Sequence, residues 1–295
     1  MLHEPTHRVS SVRRFMWSAA VWGIALLISV GLPATVSAQL NQTQHADGWI
    51  LAAAHAPGYF ESIWRTDLWV RSDAGGTITL YFCESSQDNT DVEGYDVDFE
   101  SGTETVYIED VVDYFLGIGD GSWTGAIHYE SSSAVQVYAR VYSISADGTE
   151  SYGQLIEGIP TSDMSLPFGS PDYPGTREDQ WMFALKHTAD GRYRVNIGMV
   201  NPTGVACQFF VRIFDETTND PDGASTIHLD VLPFSMVQLS DPFADVSGGE
   251  WDSYTVRVEC ADDGAGAFGY ASVVDNATND AYFVRGVKRM TPDAD

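Results

Sequence analysis

The chain has 295 residues, of which 44% are hydrophobic and 12% are aromatic, which is enough for packed cores and excludes intrinsic disorder. Aspartate and glutamate number 42 against 15 lysines and arginines, giving a formal net charge of −27 at pH 7. Because nucleic acids and anionic lipids bind through Lys and Arg, this balance excludes both as partners. It indicates a hydrated acidic surface in preference to one that collects divalent cations.

Residues 1–38 have the pattern of a secretory signal peptide. Three arginines precede an apolar run from Phe15 to Leu32, and the small residues Val36 and Ala38 favour cleavage before Gln39. The apolar run is also near the length of an uncleaved membrane anchor, so that alternative stays open. The sequence therefore predicts a secreted protein, periplasmic or extracellular, with no membrane attachment after cleavage.

From residue 45 onward the predicted elements are short β-strands. Val, Ile, Thr and Tyr alternate with period two in five clear segments, which in chain order are 77–82, 104–109, 134–142, 225–232 and 255–260. Turn sequences such as DAGG, ADGT and NPTG separate the strands, and only Glu109–Gly117 and Ser240–Val246 favour a helical turn. This pattern predicts an all-β fold of two tandem antiparallel β-sandwiches.

Landmarks of the first half recur in the second half at an offset of about 130 residues. The segment Trp49–His55 (WILAAAH) corresponds to Trp181–His187 (WMFALKH), and Trp64–Val70 corresponds to Tyr193–Met199. The order of the landmarks is the same in both halves, which indicates an internal duplication. The repeated Trp and His then mark a structural position and not a catalytic one.

The duplication predicts two domains, residues 45–160 and 180–288, joined by a linker at residues 161–179 that contains Pro and Gly. The segments HAPGYFESIWRTDLWV, YGQLIEGIP, NIGMVNPTG and YASVVDNATNDAYFV resemble a duplicated, immunoglobulin-like β-sandwich repeat of secreted multi-domain bacterial proteins. That resemblance implies the architecture. It implies no catalytic residues, because the repeat carries no established activity.

The motifs of common hydrolases are missing from the sequence. There is no His-Glu-x-x-His, no Gly-x-Ser-x-Gly and no glycine-rich phosphate loop before a helix. The histidines of the two halves are scattered singly at His45, His55, His128, His187 and His228. We therefore predict a protein that is not an enzyme, with an unrecognised secreted hydrolase as the least favoured alternative.

Two acidic loops raise the question of calcium, a cation that prefers several oxygen ligands. The candidate ligands are Asp88, Asp91, Glu93 and Asp96 in the first half and Asp215, Asp220 and Asp222 in the second. Neither loop has the EF-hand spacing, so a hydrated acidic loop is the favoured interpretation. No other cofactor is expected.

Three cysteines lie beyond the signal peptide. Cys207 and Cys260 fall in two strand-like segments of the same half, which makes them the favoured disulfide pair in an oxidising compartment. Cys83 would then be the remaining thiol.

Strand alternation in the first half predicts a polar and aromatic face. Thr66, Leu68 and Val70 should point into the core, as should Val135, Val137, Ala139 and Val141. The opposite face then carries Arg65, Asp67, Trp69, Arg71, Gln136, Tyr138, Arg140 and Tyr142, and we expect His128 to join it. The second half has Gly198 and Ser272 where the first has Trp69 and Arg140, so the face is specific to the first half.

Flat aromatic rings beside forked arginine donors are typical of glycan and protein recognition. The leading functional hypothesis is therefore a secreted, non-catalytic binding or structural module that recognises a glycan or a protein surface. One alternative is that the rings are covered by the linker, by a loop or by the other half. Another is a self-assembling extracellular structural protein that oligomerises through exposed strand edges.

Overall fold

The fold is described from a computed structural model. The described residues are 44–58, 61–101, 105–116, 121–145, 148, 151–167, 176–188, 190–215, 225–243, 253–262, 264–278 and 280–292. The predicted signal peptide, residues 1–38, lies outside these ranges. Among the described residues, no helix combines the length and apolarity needed to cross a membrane.

The chain is built from antiparallel strands, as the alternation predicts. The first half contains β1 (His45–Pro57), β2 (Ile63–Arg71), β3 (Gly76–Glu84), β4 (Tyr95–Phe99), β5 (Thr105–Ile108), α1 (Val111–Leu116), β6 (Trp123–Ile144), β7 (Ser151–Glu157) and β8 (Ile159–Pro160). The second half contains β9 (Thr176–Leu185), β10 (Tyr193–Asn201), β11 (Cys207–Asp215), β12 (Ser225–Val231), β13 (Ser235–Ser240), β14 (Tyr254–Cys260), β15 (Phe268–Asp275), β16 (Ala281–Arg285) and β17 (Val287–Pro292).

In the first half, the 22-residue strand β6 runs through two sheet regions. The first part of β6 pairs with β3 on one side and with β1 on the other. β4 pairs with the outer edge of β3 and β8 pairs with β1, which gives sheet I the order β4-β3-β6-β1-β8. The end of β6 pairs with β2 and β7 and forms sheet II, ordered β5-β2-β6-β7. Sheets I and II are therefore continuous through β6, and β1 also pairs with β2.

The second half has two separate sheets. Sheet III is ordered β12-β11-β14-β9-β17, and sheet IV is ordered β13-β10-β15-β16. When the strands of each half are numbered in chain order, sheet III has the same strand order as sheet I, and sheet IV has the same strand order as sheet II. The difference is that β14 and β15 take the places of the two ends of β6, because the chain leaves the sheet between Cys260 and Phe268.

The buried faces follow the predicted alternation. Thr66, Leu68 and Val70 of β2 are at most 1% exposed, and the corresponding β10 residues Val195, Ile197 and Met199 are fully buried. The predicted inward residues of β6 are also buried. The alternation of apolar and polar residues along each strand thus determines which side chains point into the cores of the two halves.

The core of the first half includes side chains of the second. Val200, Met236, Phe268 and Tyr270 of sheet IV pack in one apolar cluster with residues of β1 to β8. Residues Gln42–Asp295 accordingly form a single compact unit.

Element boundaries differ from the prediction in detail. The helical turn expected at Glu109–Gly117 is α1. In the segment Ser240–Val246, Ser240 ends β13, a turn follows, and residues 244–246 lie outside the described part. The predicted linker 161–179 contains a short 3-10 helix at Thr161–Asp163, and its last residues begin β9.

The cysteines adopt the favoured pairing, in which Cys207 of β11 and Cys260 of β14 form a disulfide. Cys83 is the free thiol and is buried in the core of the first half. Burial raises the pKa of Cys83 to about 12, so the thiol is protonated and unreactive at neutral pH.

Candidate functional site

The outer face of sheet II brings most of the predicted binding residues together. The register pairs on this face are Arg65 with Tyr142, Asp67 with Arg140, Trp69 with Tyr138, and Arg71 with Gln136. Because directly opposed residues of an antiparallel pair point to the same side, these eight side chains share one face.

Tyr107 extends this face by one strand. It lies opposite Trp69 in the β2–β5 pair, and the two ring centroids are 5.2 Å apart. Tyr107 is 49% exposed, and Trp69 and Tyr138 are half-buried. Tyr107, Trp69 and Tyr138 thus form a row across three adjacent strands, which we call the aromatic row.

Tyr107 is not among the binding residues that the sequence predicts. The alternation of the segment 104–109 predicts the strand, but it does not reveal which strand β5 pairs with. Only the β2–β5 register places Tyr107 beside Trp69.

A buried carboxylate on the same face, that of Asp67, holds one end of the aromatic row. Asp67, 6% exposed, accepts hydrogen bonds from the hydroxyls of Tyr107 at 3.0 Å and Tyr142 at 3.1 Å. Burial and the Asp67 carboxylate raise the pKa of Tyr142 to about 12, and they also raise that of Tyr107. Both phenols therefore remain protonated donors to Asp67 at neutral pH.

Two of the predicted ligand-binding residues have structural roles. Tyr142 is 7% exposed, with the Arg140 guanidinium 4.5 Å from its ring centroid. The Arg65 Nε lies 3.4 Å from Asp110 Oδ2. Tyr142 and Arg65 are thus held by neighbouring side chains of the same half, whereas Arg71 at the end of β2 is exposed.

Asp110 connects this network to the repeated histidine. His55 Nδ1 lies 2.8 Å from Asp110 Oδ2, and the Asp110 amide donates to Asp67 Oδ1 at 3.1 Å. Burial raises the pKa of the Asp110 carboxyl, although His55 and Arg65 oppose the shift.

The second half contains the same pair. His187 Nε2 lies 3.1 Å from Asp241 Oδ1. Asp110 follows β5 and Asp241 follows β13, and both have left-handed backbones with φ of 45° and 46°. The repeated histidine therefore serves in each half to hold an aspartate at the turn after an equivalent strand.

His128 does not join the aromatic row. It lies ten residues before Tyr138 on β6, in the part of the strand that belongs to sheet I. Its ring stacks on Trp49 at 4.7 Å, and its Nε2 lies 2.9 Å from Asp47 Oδ1. His128 and Tyr138 are separated because β6 is long and passes from sheet I into sheet II. Residues on the same side of such a strand do not form one continuous surface.

The corresponding face of sheet IV is covered and not open to a ligand. Gly198 stands where β2 has Trp69, and a Cβ added there would lie 1.9 Å from the Tyr270 ring. Tyr270 is fully buried and donates to Gln238 Oε1 at 3.0 Å. The open aromatic face is thus specific to the first half, as the sequence differences predict.

The first acidic loop is held by hydrogen bonds. Asp88 accepts from Thr90, Asp96 accepts from Thr79, and the neighbouring Asn89 side chain donates to the Phe234 carbonyl at 2.9 Å. Within the described residues, no three His, Cys, Asp or Glu side chains converge in a way that would hold a metal ion. Asp88, Asp91, Glu93 and Asp96 are therefore not brought together.

The second acidic loop, with Asp220 and Asp222, lies outside the described residues, as does the side chain of Asp215. The calcium prediction for these three residues stays a prediction.

Comparisons with protein-family models, curated proteins and solved structures find no match to the chain. The function is therefore inferred from the geometry of the described residues. The resemblance to a secreted β-sandwich repeat stays a proposal that rests on the sequence motifs.

Proposed function

We propose that the protein is a secreted, non-catalytic binding module that recognises neutral glycan chains through the aromatic row of sheet II. The observation that carries the proposal is the alignment of Tyr107, Trp69 and Tyr138 on three adjacent strands. Neighbouring strands are about 4.8 Å apart, so the row spans about 10 Å, the length of two or three sugar rings.

The surroundings of the row support binding by a rigid surface. The hydroxyl of Tyr107 is fixed by Asp67, which is itself held by the Asp110 amide and by Tyr142. Flat rings that are already held in place lose little conformational entropy when a ligand stacks on them. Arg71 and Glu157 lie at the ends of the face and supply exposed polar groups for sugar hydroxyls.

A non-catalytic role is supported by the histidine–carboxylate pairs. The His55–Asp110 pair is buried, with both side chains 9% exposed. This pair and the His187–Asp241 pair each lie at a turn that follows a strand. His128–Asp47 packs against Trp49. Each of these three histidines thus has a structural partner that accounts for its position.

We further propose that the two halves are copies of one immunoglobulin-like sandwich. The matching strand orders of sheets I and III and of sheets II and IV support this proposal. So does the repeated His–Asp pair with a left-handed Asp. Secretion is supported by the signal-like residues 1–38 and by the disulfide, which is typical of oxidising compartments.

The test is retention of the mature chain on insoluble neutral polysaccharides, cellulose and chitin. Trp69→Ala and Tyr138→Ala remove rings from the row, and each should weaken retention by roughly tenfold or more, as expected for an interface hot spot. Tyr114→Ala is the matched control, because Tyr114 is 60% exposed and lies on α1, outside the three strands that carry the aromatic row. Unchanged retention of both row variants, or no retention of the wild type, would refute the proposal.

A further inference from the structure

The outer face of sheet III carries a second array of aromatic and charged side chains. One register row crosses four strands and contains Arg212, Arg257, Trp181 and Val287. Arg289 lies two residues beyond Val287 on β17, on the same side of the strand. We call these five residues the arginine–tryptophan strip.

Arginine guanidinium groups lie over aromatic rings in this strip. The Arg257 guanidinium lies 5.5 Å from the centroid of the Trp181 ring and 5.8 Å from that of Phe214. The Arg289 guanidinium also lies 5.5 Å from the Trp181 centroid. Cations at this distance from an aromatic face are held by the ring quadrupole, so the guanidinium groups are oriented before any ligand arrives.

The charges of the strip are only partly balanced. Arg257 is 7% exposed and is paired with the buried carboxylates of Glu259 and Asp179. The Arg212 Nε lies 3.9 Å from Glu259 Oε1, the Arg212 side chain is 38% exposed, and Arg289 is exposed. Among the described residues in contact with the strip, three arginines therefore lie beside two carboxylates, those of Asp179 and Glu259, in a chain whose formal net charge is −27.

Exposed apolar groups flank the arginines. Phe183, two residues after Trp181 on β9, is 44% exposed, and Val287 is 52% exposed. With strands about 4.8 Å apart, the row from Arg212 to Val287 spans about 14 Å. A ligand on this face thus meets exposed apolar surface beside the guanidinium groups of Arg212 and Arg289.

We infer that the arginine–tryptophan strip is a second binding site, for glycans that carry carboxylate groups, such as chains of uronic acids. Arginine forks bind carboxylates in a bidentate manner, and the exposed ring of Phe183 fits the apolar face of a pyranose ring. Charge complementarity selects an anionic chain over a neutral one, because Arg212 and Arg289 leave a local excess of positive charge.

The site is independent of the aromatic row and specific to the second half. It lies on sheet III, whereas the aromatic row lies on sheet II. The equivalent row of sheet I contains Tyr81, His128 and Trp49, and Trp49 is fully buried. In that row His128 is paired with Asp47, so the first half offers no free arginine pair there.

The experiment is affinity electrophoresis of the mature chain in gels that contain polygalacturonate, with neutral dextran and poly-glutamate gels run in parallel. The wild type should be retarded by polygalacturonate alone. Arg212→Gln and Arg289→Gln should each reduce the retardation severalfold, and the double variant should abolish it. Arg192→Gln is the matched control, because Arg192 is an exposed arginine outside sheet III that is paired with Asp275.

The outcomes separate this site from the aromatic row. Trp69→Ala should leave retardation by polygalacturonate unchanged, even if it abolishes retention on neutral polysaccharides. Lack of retardation of the wild type would overturn the inference, and so would unchanged retardation of the double variant. Equal retardation by poly-glutamate would also overturn it, because charge alone would then explain the binding.

Discussion

At the scale of single residues, the two His–Asp pairs explain why a tryptophan and a histidine recur with the same spacing. His55 lies on β1, the strand that carries Trp49, and His187 lies two residues after the end of β9, the strand that carries Trp181. Each histidine contacts an aspartate in the turn after β5 or β13. Aspartate is among the few residues other than glycine that tolerate a left-handed backbone, and its carboxylate accepts the histidine from there. The motif thus fixes a turn in both halves.

The two pairs differ in burial, and this difference predicts unequal effects of mutation. Asp110→Ala removes a buried carboxylate that contacts the buried His55 and the partly exposed Arg65, and we expect a loss of about 3 kcal/mol in unfolding free energy. Asp241→Ala is the matched control, because the Asp241 side chain is 36% exposed, and its loss should be about 1 kcal/mol or less. Urea unfolding followed by tryptophan fluorescence measures both. Similar losses of unfolding free energy in the two variants would contradict the claim that burial makes the Asp110 pair more important for stability than the Asp241 pair.

At the scale of elements, β2 and β10 occupy matching places in sheets II and IV and have opposite roles. Trp69 of β2 lies on an open face, whereas Gly198 of β10 makes room for the buried Tyr270 ring. The face of sheet IV is an internal surface, since Met236, Phe268 and Tyr270 belong to the core of the first half. A glycine at this position is required by close packing and not by backbone conformation.

We therefore predict that Gly198→Ala destabilises the protein by about 1–3 kcal/mol, because the added methyl group cannot be accommodated without displacing Tyr270. Asn196→Ala, on the same strand and the same face, is the control and should cost less. Thermal unfolding of both variants provides the measurement. A Gly198→Ala protein as stable as the wild type would show that the Tyr270 ring can move.

Local alternation predicted the faces of β2, β6 and β10 correctly, because a strand with one buried face needs an apolar side chain at every second position. It could not predict that β6 continues from sheet I into sheet II, and the placement of His128 was wrong for that reason. It also could not place Tyr107 beside Trp69 or Asp110 beside His55, since both contacts depend on pairing between segments distant in sequence. Two of the three rings of the aromatic row, Trp69 and Tyr138, were therefore predicted from the sequence, whereas Tyr107 and the contacts of Asp110 were not.

At the scale of the whole molecule, the halves are joined by both apolar and polar contacts. The Ser86 amide donates to the Met236 carbonyl at 3.0 Å, and the Ser272 hydroxyl donates to Gln154 Oε1 at 3.1 Å. Ser165, from the predicted linker, is fully buried and forms an antiparallel bridge with Ala267. These contacts make the halves parts of one folding unit, although their strand orders match.

This shared core predicts how the protein unfolds. Separating the halves would expose Tyr270 and Phe268, which are at most 2% exposed in the intact molecule, and would remove them from the first-half cluster. Because burial of such aromatic side chains supplies several kcal/mol, neither half should remain folded once the other unfolds. Calorimetry of the mature chain should therefore show one transition, with equal calorimetric and van't Hoff enthalpies. Two separate transitions would mean that each half is stable alone, and that the contact through sheet IV contributes little to holding the molecule together.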